Sequence, residues 1–110
     1  MKNDLVYLKH IKEAIEAIKS YVGDADFKSF SRDKKTIDAV VYQLAVIGEA
    51  ASNLSSDFRK THPEIPWRDM IDMRNVLIHE YFGVIIETVW KTVQKNLPEL
   101  ENMVDEILSK

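Results

Sequence analysis

The chain contains no cysteine, which removes disulfides, thiolate zinc sites and cysteine nucleophiles together and fits a reducing compartment. Histidine is scarce: His10, His62 and His79 are too scattered to offer the ligand spacing of a zinc site. No apolar run approaches the roughly 18 residues of a membrane span. The opening stretch MKNDLVYLKHIKEAIEAIKS carries charges throughout, so it lacks the apolar centre of a signal peptide. Nor is there a basic excess. Fifteen Lys and Arg against 18 Asp and Glu give a net charge of −3, which counts against a protein that coats nucleic acid by bulk electrostatics. A local grip on one phosphate stays open. These absences predict a soluble, cytoplasmic protein with no membrane association, metal or cofactor.

What is present is enough for one domain over residues 1–110, with 45% hydrophobic residues to build its core. The three glycines and three prolines punctuate a helical pattern. Leu5, Leu8, Ile11, Ile15, Ile18 and Val22 recur at three- and four-residue steps on one stripe, with Asn3 or Asp4 as a cap and Gly23 as a stop. GDADFKSFSRD reads as a connection, with Ser31 a cap for a second helix buried through Ile37, Val40, Val41, Leu44, Ile47 and Ala51. Gly48 inside that helix costs about 1 kcal/mol against Ala, which predicts close approach of a neighbour. In SNLSSDFRKTHPEIPW, Ser55 or Ser56 can cap a short turn that Pro63 stops, and Pro66 opens a third helix. Gly83 breaks or bends the pattern, which resumes to Asn96, and Pro98 opens a last helix. The acidic tail, Glu99, Glu101, Asp105 and Glu106, reads as a solvated helix face. The fold class is all-α, an antiparallel bundle of four or five helices with short links.

The stretch RNVLIHEYFG, residues 74–83, crowds Arg, His and Tyr into eight positions. On a helix Arg74 and Tyr81 fall within about 20° of each other, and Asn75 and His79 are neighbours at i and i+4. Arg74 and His79 are about 140° apart, so they cannot face one small substrate from one straight helix. Either the helix distorts, or Arg74 of one chain meets His79 of another across a two-fold dimer. Brought together, they suit RNA cleavage. An imidazole can take the proton of a ribose 2′-hydroxyl, and a guanidinium fork can stabilise the charge that grows on phosphorus. Asn75 can hold one ring nitrogen of His79.

The run PEIPWRDMIDMRNVLIHEYFGV resembles the signature region of the HepT-like family, within the HEPN superfamily of all-α ribonucleases. Arg74, His79 and Tyr81 match its Arg-x4–6-His-x-Tyr motif, with Asn75 after the arginine. IDAVVYQLAVIGEAA resembles the family's second helix with its Gly-Glu pair, at Gly48 and Glu49, and VWKTVQKNLPELENMVDEIL resembles its closing helices. The resemblance implies a HEPN-like fold, catalytic roles for Arg74 and His79, and a homodimer with a composite cleft acting on RNA. It also implies the toxin half of a type VII toxin–antitoxin pair. The expected partner is a nucleotidyltransferase of the MNT type that transfers AMP to Tyr81, placing charge and bulk beside Arg74. Glu49, Arg68 and Glu80 are candidate supporting residues. One departure is visible: Ile85 stands where relatives often carry a polar residue, a lost cap for the following helix.

His10 is expected at the surface, His62 in a loop, Trp67 in the core or an interface, and Trp90 and Met103 in packing. The acidic balance also allows a different class of protein: a non-catalytic helical module that docks a nucleotidyltransferase and presents Tyr81 to it.

Overall fold

The computed structural model describes residues 3–79 and 84–110. Glu80, Tyr81 and Gly83 therefore lie outside the described residues. Helix α1 (Asp4–Val22) buries Leu8, Ile11, Ile15, Ile18 and Val22, the stripe that the spacing predicts. It ends at Gly23, whose positive φ of 54° suits a residue without Cβ. Leu5 departs from the stripe and is exposed. It sits in the first turn, where Asp4 accepts bonds from the Ser55 backbone N–H and hydroxyl, both at 2.8 Å.

The segment read as a connection contains a short helix, α2 (Phe27–Arg32). Asp26 caps it by accepting from the Ser29 N–H, and Phe30 is driven fully into the core. Ser31 therefore lies inside α2. The cap of α3 (Lys34–Asn53) is Asp33, which accepts from both the hydroxyl and the N–H of Thr36. These bonds hold the Asp26 and Asp33 carboxyls below the usual carboxylate range, because each favours the charged form.

Helix α3 is central, packed on α1 along one side and on α5 (Trp67–His79) along the other. Between them, α4 (Ser56–Thr61) is capped by Ser55 through the Phe58 N–H, as the sequence predicts, and Pro66 immediately precedes α5. Trp67 is buried and its indole N–H donates to the His62 carbonyl at 3.0 Å, pinning the loop to the helix start.

Pro98 does not open a separate helix. Helix α6 (Ile86–Lys91) runs through a π-helical turn (Thr92–Asn96) directly into α7 (Leu97–Leu108), with the Leu97 N–H bonded to the Thr92 carbonyl. A proline ring in helical register would clash with the carbonyl four residues back, and a widened turn just before it relieves that clash. Trp90 on α6 packs on Phe27 and Phe30, with ring centroids at 6.0 and 4.9 Å. Ile85 is the N-cap of α6 and makes no side-chain cap bond.

The molecule is a slab of 41 × 29 × 19 Å, with α7 packed against α1 and Leu97 and Leu100 of α7 sharing a hollow with Leu44 and Ile47 of α3. The buried side chains among the described residues are all hydrophobic, and no helix among them is long and apolar enough to cross a membrane. The acidic tail is not simply solvated. Lys12 bonds Glu101 and Asp105 at 2.8 Å each, and Lys19 bonds Glu101 at 3.1 Å. Later residues of α7 meet earlier ones of α1, so the two run antiparallel. Lys12, principally by its bond to the carboxylate, holds the Glu101 carboxyl below its ordinary range against the opposing effect of burial. The bonds to Asp105 and Glu101 raise the Lys12 ammonium in turn.

Glu101 is only 14% exposed, so its ion pairs lie between surface and buried cases, and Glu101→Gln should cost about 1–2 kcal/mol at neutral pH. A carboxylate whose folded pKa is depressed stabilises above its unfolded value, here 4.5, and loses that contribution as pH falls through the folded value. Urea midpoints should therefore separate Glu101→Gln from wild type at pH 7 and converge in strong acid. Equal gaps at both pH values would show that the ion pairs contribute nothing.

Candidate functional site

The site begins where α3 and α5 touch. A Cβ built on Gly48 would lie 2.3 Å from the Arg74 Cβ and 2.7 Å from the Met70 carbonyl oxygen. Only hydrogen fits there. The close approach foreseen from the cost of a mid-helix glycine is thus directed at Arg74 itself, whose Cβ and Cγ lie against Gly48. Arg74 is 21% exposed, and its Nη1 donates to Glu49 Oε1, the next residue along α3. Glu49 is 57% exposed, so the pair sits at the rim of the helix contact. The Arg74 Nε is buried and has no hydrogen-bond partner among the described residues. A buried donor without a partner is uncommon, and here it belongs to a guanidinium that, among the described residues, meets one carboxylate oxygen.

His79 is the last residue of α5 and is exposed. The helix is regular from Trp67 to His79, so no distortion brings His79 towards Arg74 within it. Arg74 lies on the inner face against α3, while His79 falls on the outer face with Arg68, Asp72 and Asn75, four positions within about 60° of arc. All four are exposed. Asn75 is one turn before His79, but no hydrogen bond joins the two among the described residues. Arg68 is 90% exposed and pairs loosely with Asp72 at 3.9 Å. Of the sequence-predicted residues, the structure therefore brings Arg74 and Glu49 together on one face and sets His79, Asn75 and Arg68 on another. Tyr81 and Glu80 are outside the described residues.

His10 is exposed, with its ring edge-on to Tyr7 at 6.0 Å. His62 is half-buried, its ring tilted by 47° against Phe58 with centroids 4.6 Å apart, and its Nδ1 lies 3.7 Å from Glu64. No group of three or more His, Asp or Glu among the described residues could hold a metal ion.

Sequence reasoning missed a hollow of about 250 Å³ beside Glu49, with Tyr42 on α3 and Ile78 on α5 at its edge. Tyr42 and Ile78 are 66% and 54% exposed, large side chains left in solvent around the same hollow as Glu49. The signal was available: Tyr42 falls off the buried stripe of α3.

The family model described as "Ribonuclease HepT-like" matches residues 11–107. A protein of Thermococcus cleftensis named probable ribonuclease HepT is 46% identical over 101 residues, 92% of each chain. A protein of Caldanaerobacter subterraneus subsp. tengcongensis, named provisionally as an RNase, is 43% identical over 110 residues, which is 100% of this chain and 98% of that one. Another in Methanocaldococcus jannaschii, also provisionally an RNase, is 38% identical over 107 residues, 97% of this chain and 88% of that one. No solved structure matches the chain significantly.

Gly48→Ala tests the seat of Arg74. Replacing glycine inside a helix would ordinarily gain about 1 kcal/mol, whereas overpacking costs about 1–3 kcal/mol or more. With the clash at backbone and Cβ rather than at a flexible side-chain end, the variant should melt lower than wild type. A higher melting temperature would mean that α3 and α5 have room to spare.

Proposed function

The chain belongs to the HepT-like family of ribonucleases, and from that premise we propose that it is a metal-independent endoribonuclease whose active site is completed by a second copy of itself. The observation that carries this reading is the division of α5: Arg74 on the inner face beside Gly48 and Glu49, His79 on the outer face. One chain cannot aim both at one phosphate. A two-fold dimer can, because it sets Arg74 of one copy opposite His79 of the other, twice. The exposed Tyr42 and Ile78 beside the Arg74–Glu49 pair supply apolar surface for such a contact.

The chemistry follows from the two groups. His79 takes the proton of a ribose 2′-hydroxyl, and the oxygen attacks the adjacent phosphorus. Negative charge builds on the phosphoryl oxygens, where the guanidinium of Arg74 stabilises it. The bond from phosphorus to the 5′-oxygen breaks, and that oxygen takes a proton from an imidazolium or from water. The products are a 2′,3′-cyclic phosphate and a 5′-hydroxyl. Glu49 sets the plane of the guanidinium in the free protein. As a half-exposed partner it is worth little in energy, so a substrate phosphate can displace it or share the fork.

In this reading the protein is the toxic component of a type VII toxin–antitoxin system. Its antitoxin is an MNT-type nucleotidyltransferase that transfers AMP from ATP to the Tyr81 hydroxyl and releases pyrophosphate. The added phosphate would compete for Arg74 and block the cleft. The specific observation that favours the second reading, a non-catalytic module that docks the transferase, is that Arg74 is already ion-paired to Glu49.

Complementation between inactive chains separates these readings. Arg74→Ala and His79→Ala should each abolish cleavage of RNA in a chelator while leaving the protein dimeric. Mixed dimers of the two variants regenerate one intact site of the two and should recover about half of wild-type activity, by the symmetry of shared sites. A mixture no more active than its parents would remove the composite site, and intact RNA with unmodified wild type would favour the docking module.

Co-production with the transferase should raise the mass of the peptide that contains Tyr81 by whole AMP units. Tyr81→Phe should abolish the shift. A shift that persists would move the acceptor elsewhere.

A further inference from the structure

The ribonuclease reading leaves unexplained a cleft of about 690 Å³ between α4 and the first turns of α5. Three cations line it, Arg59 and Lys60 from α4 and Arg68 from α5. Pro63 and Pro66 supply an apolar wall. Among the described residues, no carboxylate lies within ion-pair distance of Arg59 or Lys60. Asp69 and Asp72 also line the cleft, but the only ion pair they form with its cations is the loose Arg68–Asp72 contact at 3.9 Å, an exposed pair of the kind that contributes little. With three cations against two carboxylates, the lining is net positive on a chain of net charge −3, and among the described residues Arg59 and Lys60 make no ion pair in it.

Its position gives it meaning. Arg68 and His79 lie on the same outer stripe of α5, about 16 Å apart along the axis. Asp72 and Asn75 lie between them, both exposed among the described residues. A chain of phosphates bound at His79 and following that stripe reaches the cleft without crossing a helix. A hollow of this size suits a nucleotide or two rather than the face of a duplex.

We propose that the cleft between α4 and α5 binds the backbone of single-stranded RNA a few nucleotides from the cut bond, with Arg59, Lys60 and Arg68 as its phosphate contacts. The inference rests on the ribonuclease reading for the identity of the polyanion and for His79 as one end of the track. It requires no base readout, since contacts to phosphates carry no sequence information.

The test is the double variant Arg59→Gln/Lys60→Gln, with Arg59→Lys as the charge-keeping control. Binding of a labelled oligouridylate is followed by fluorescence anisotropy in a His79→Ala background, so that nothing is cut. Affinity should fall about tenfold, and the slope of log K against log salt should become shallower by about 1.4, or 0.7 for each lost contact to a single strand. Arg59→Lys should keep most of the affinity. In the active protein, the ratio of kcat/KM for a long RNA to that for a dinucleotide should fall about tenfold, because only the long substrate reaches the cleft. An unchanged affinity and salt slope, or an unchanged ratio, overturns the proposal. So does a double variant that binds RNA normally but no longer captures a co-produced nucleotidyltransferase, which would make the cleft a protein contact. The two readings fail separately. If wild type binds RNA through the cleft but never cleaves it, the nuclease reading falls and the cleft stands; if cleavage is normal and the binding does not respond, the reverse holds.

Discussion

The contact on which the site depends is the approach of α5 to α3 at Gly48. A hydrogen in place of a side chain lets the Arg74 Cβ and Cγ lie directly on the α3 backbone, and that seat decides where the guanidinium goes. It places Arg74 within reach of Glu49, and it keeps one guanidinium nitrogen away from water. A glycine within a helix costs propensity, and here the compensation is the close packing of α5 on α3. The same contact fixes the rotation of α5 about its axis. With Arg74 turned inward, Arg68, Asn75 and His79 must turn outward, because they share a helix that is regular throughout.

The rest of the fold holds that arrangement steady. Trp67 pins the start of α5 to the preceding loop through the His62 carbonyl, and Ser55 joins the end of α3 to the start of α1 through Asp4. On the far side, Lys12 and Lys19 tie α1 to α7. The hydrophobic interior carries most of the stability, as it does in bundles generally. The polar ties act at the margins, where they set register between helices that could otherwise slide.

Much of this was legible from residue order. The cost of a glycine inside a helix signalled a close approach at Gly48, though not that Arg74 makes it. The stripe of α1, the Ser55 cap and the Gly23 stop follow from local rules, because each concerns neighbours close in sequence. The 140° between Arg74 and His79 was legible for the same reason. What local rules could not supply were partners distant in the chain. Glu101 and Asp105 looked like solvated acids because nothing near them in sequence is positive enough to hold them, and Lys12 lies 89 residues before Glu101. Helix α2 was overlooked because six residues give too little periodicity to read, although Asp26 three residues before Ser29 was a cap signal in plain view. Ile85 was read correctly as a missing cap. The cleft formed by Arg59, Lys60 and Arg68 joins two helices across a proline turn, and only the folded chain puts those cations around one space.

The π-helical turn at Thr92–Asn96 has a consequence of its own. One additional residue in a turn advances everything beyond it by about 100° around the axis. Trp90 before the turn packs on Phe30 of α2, whereas α7 beyond the turn packs on α1. A single rod thus serves two customers at different angles. Loss of one residue from this turn would swing the C-terminal half of the rod out of phase with α1, whereas most single replacements at the same positions leave the phase untouched. The segment tolerates changes of letter far better than changes of length.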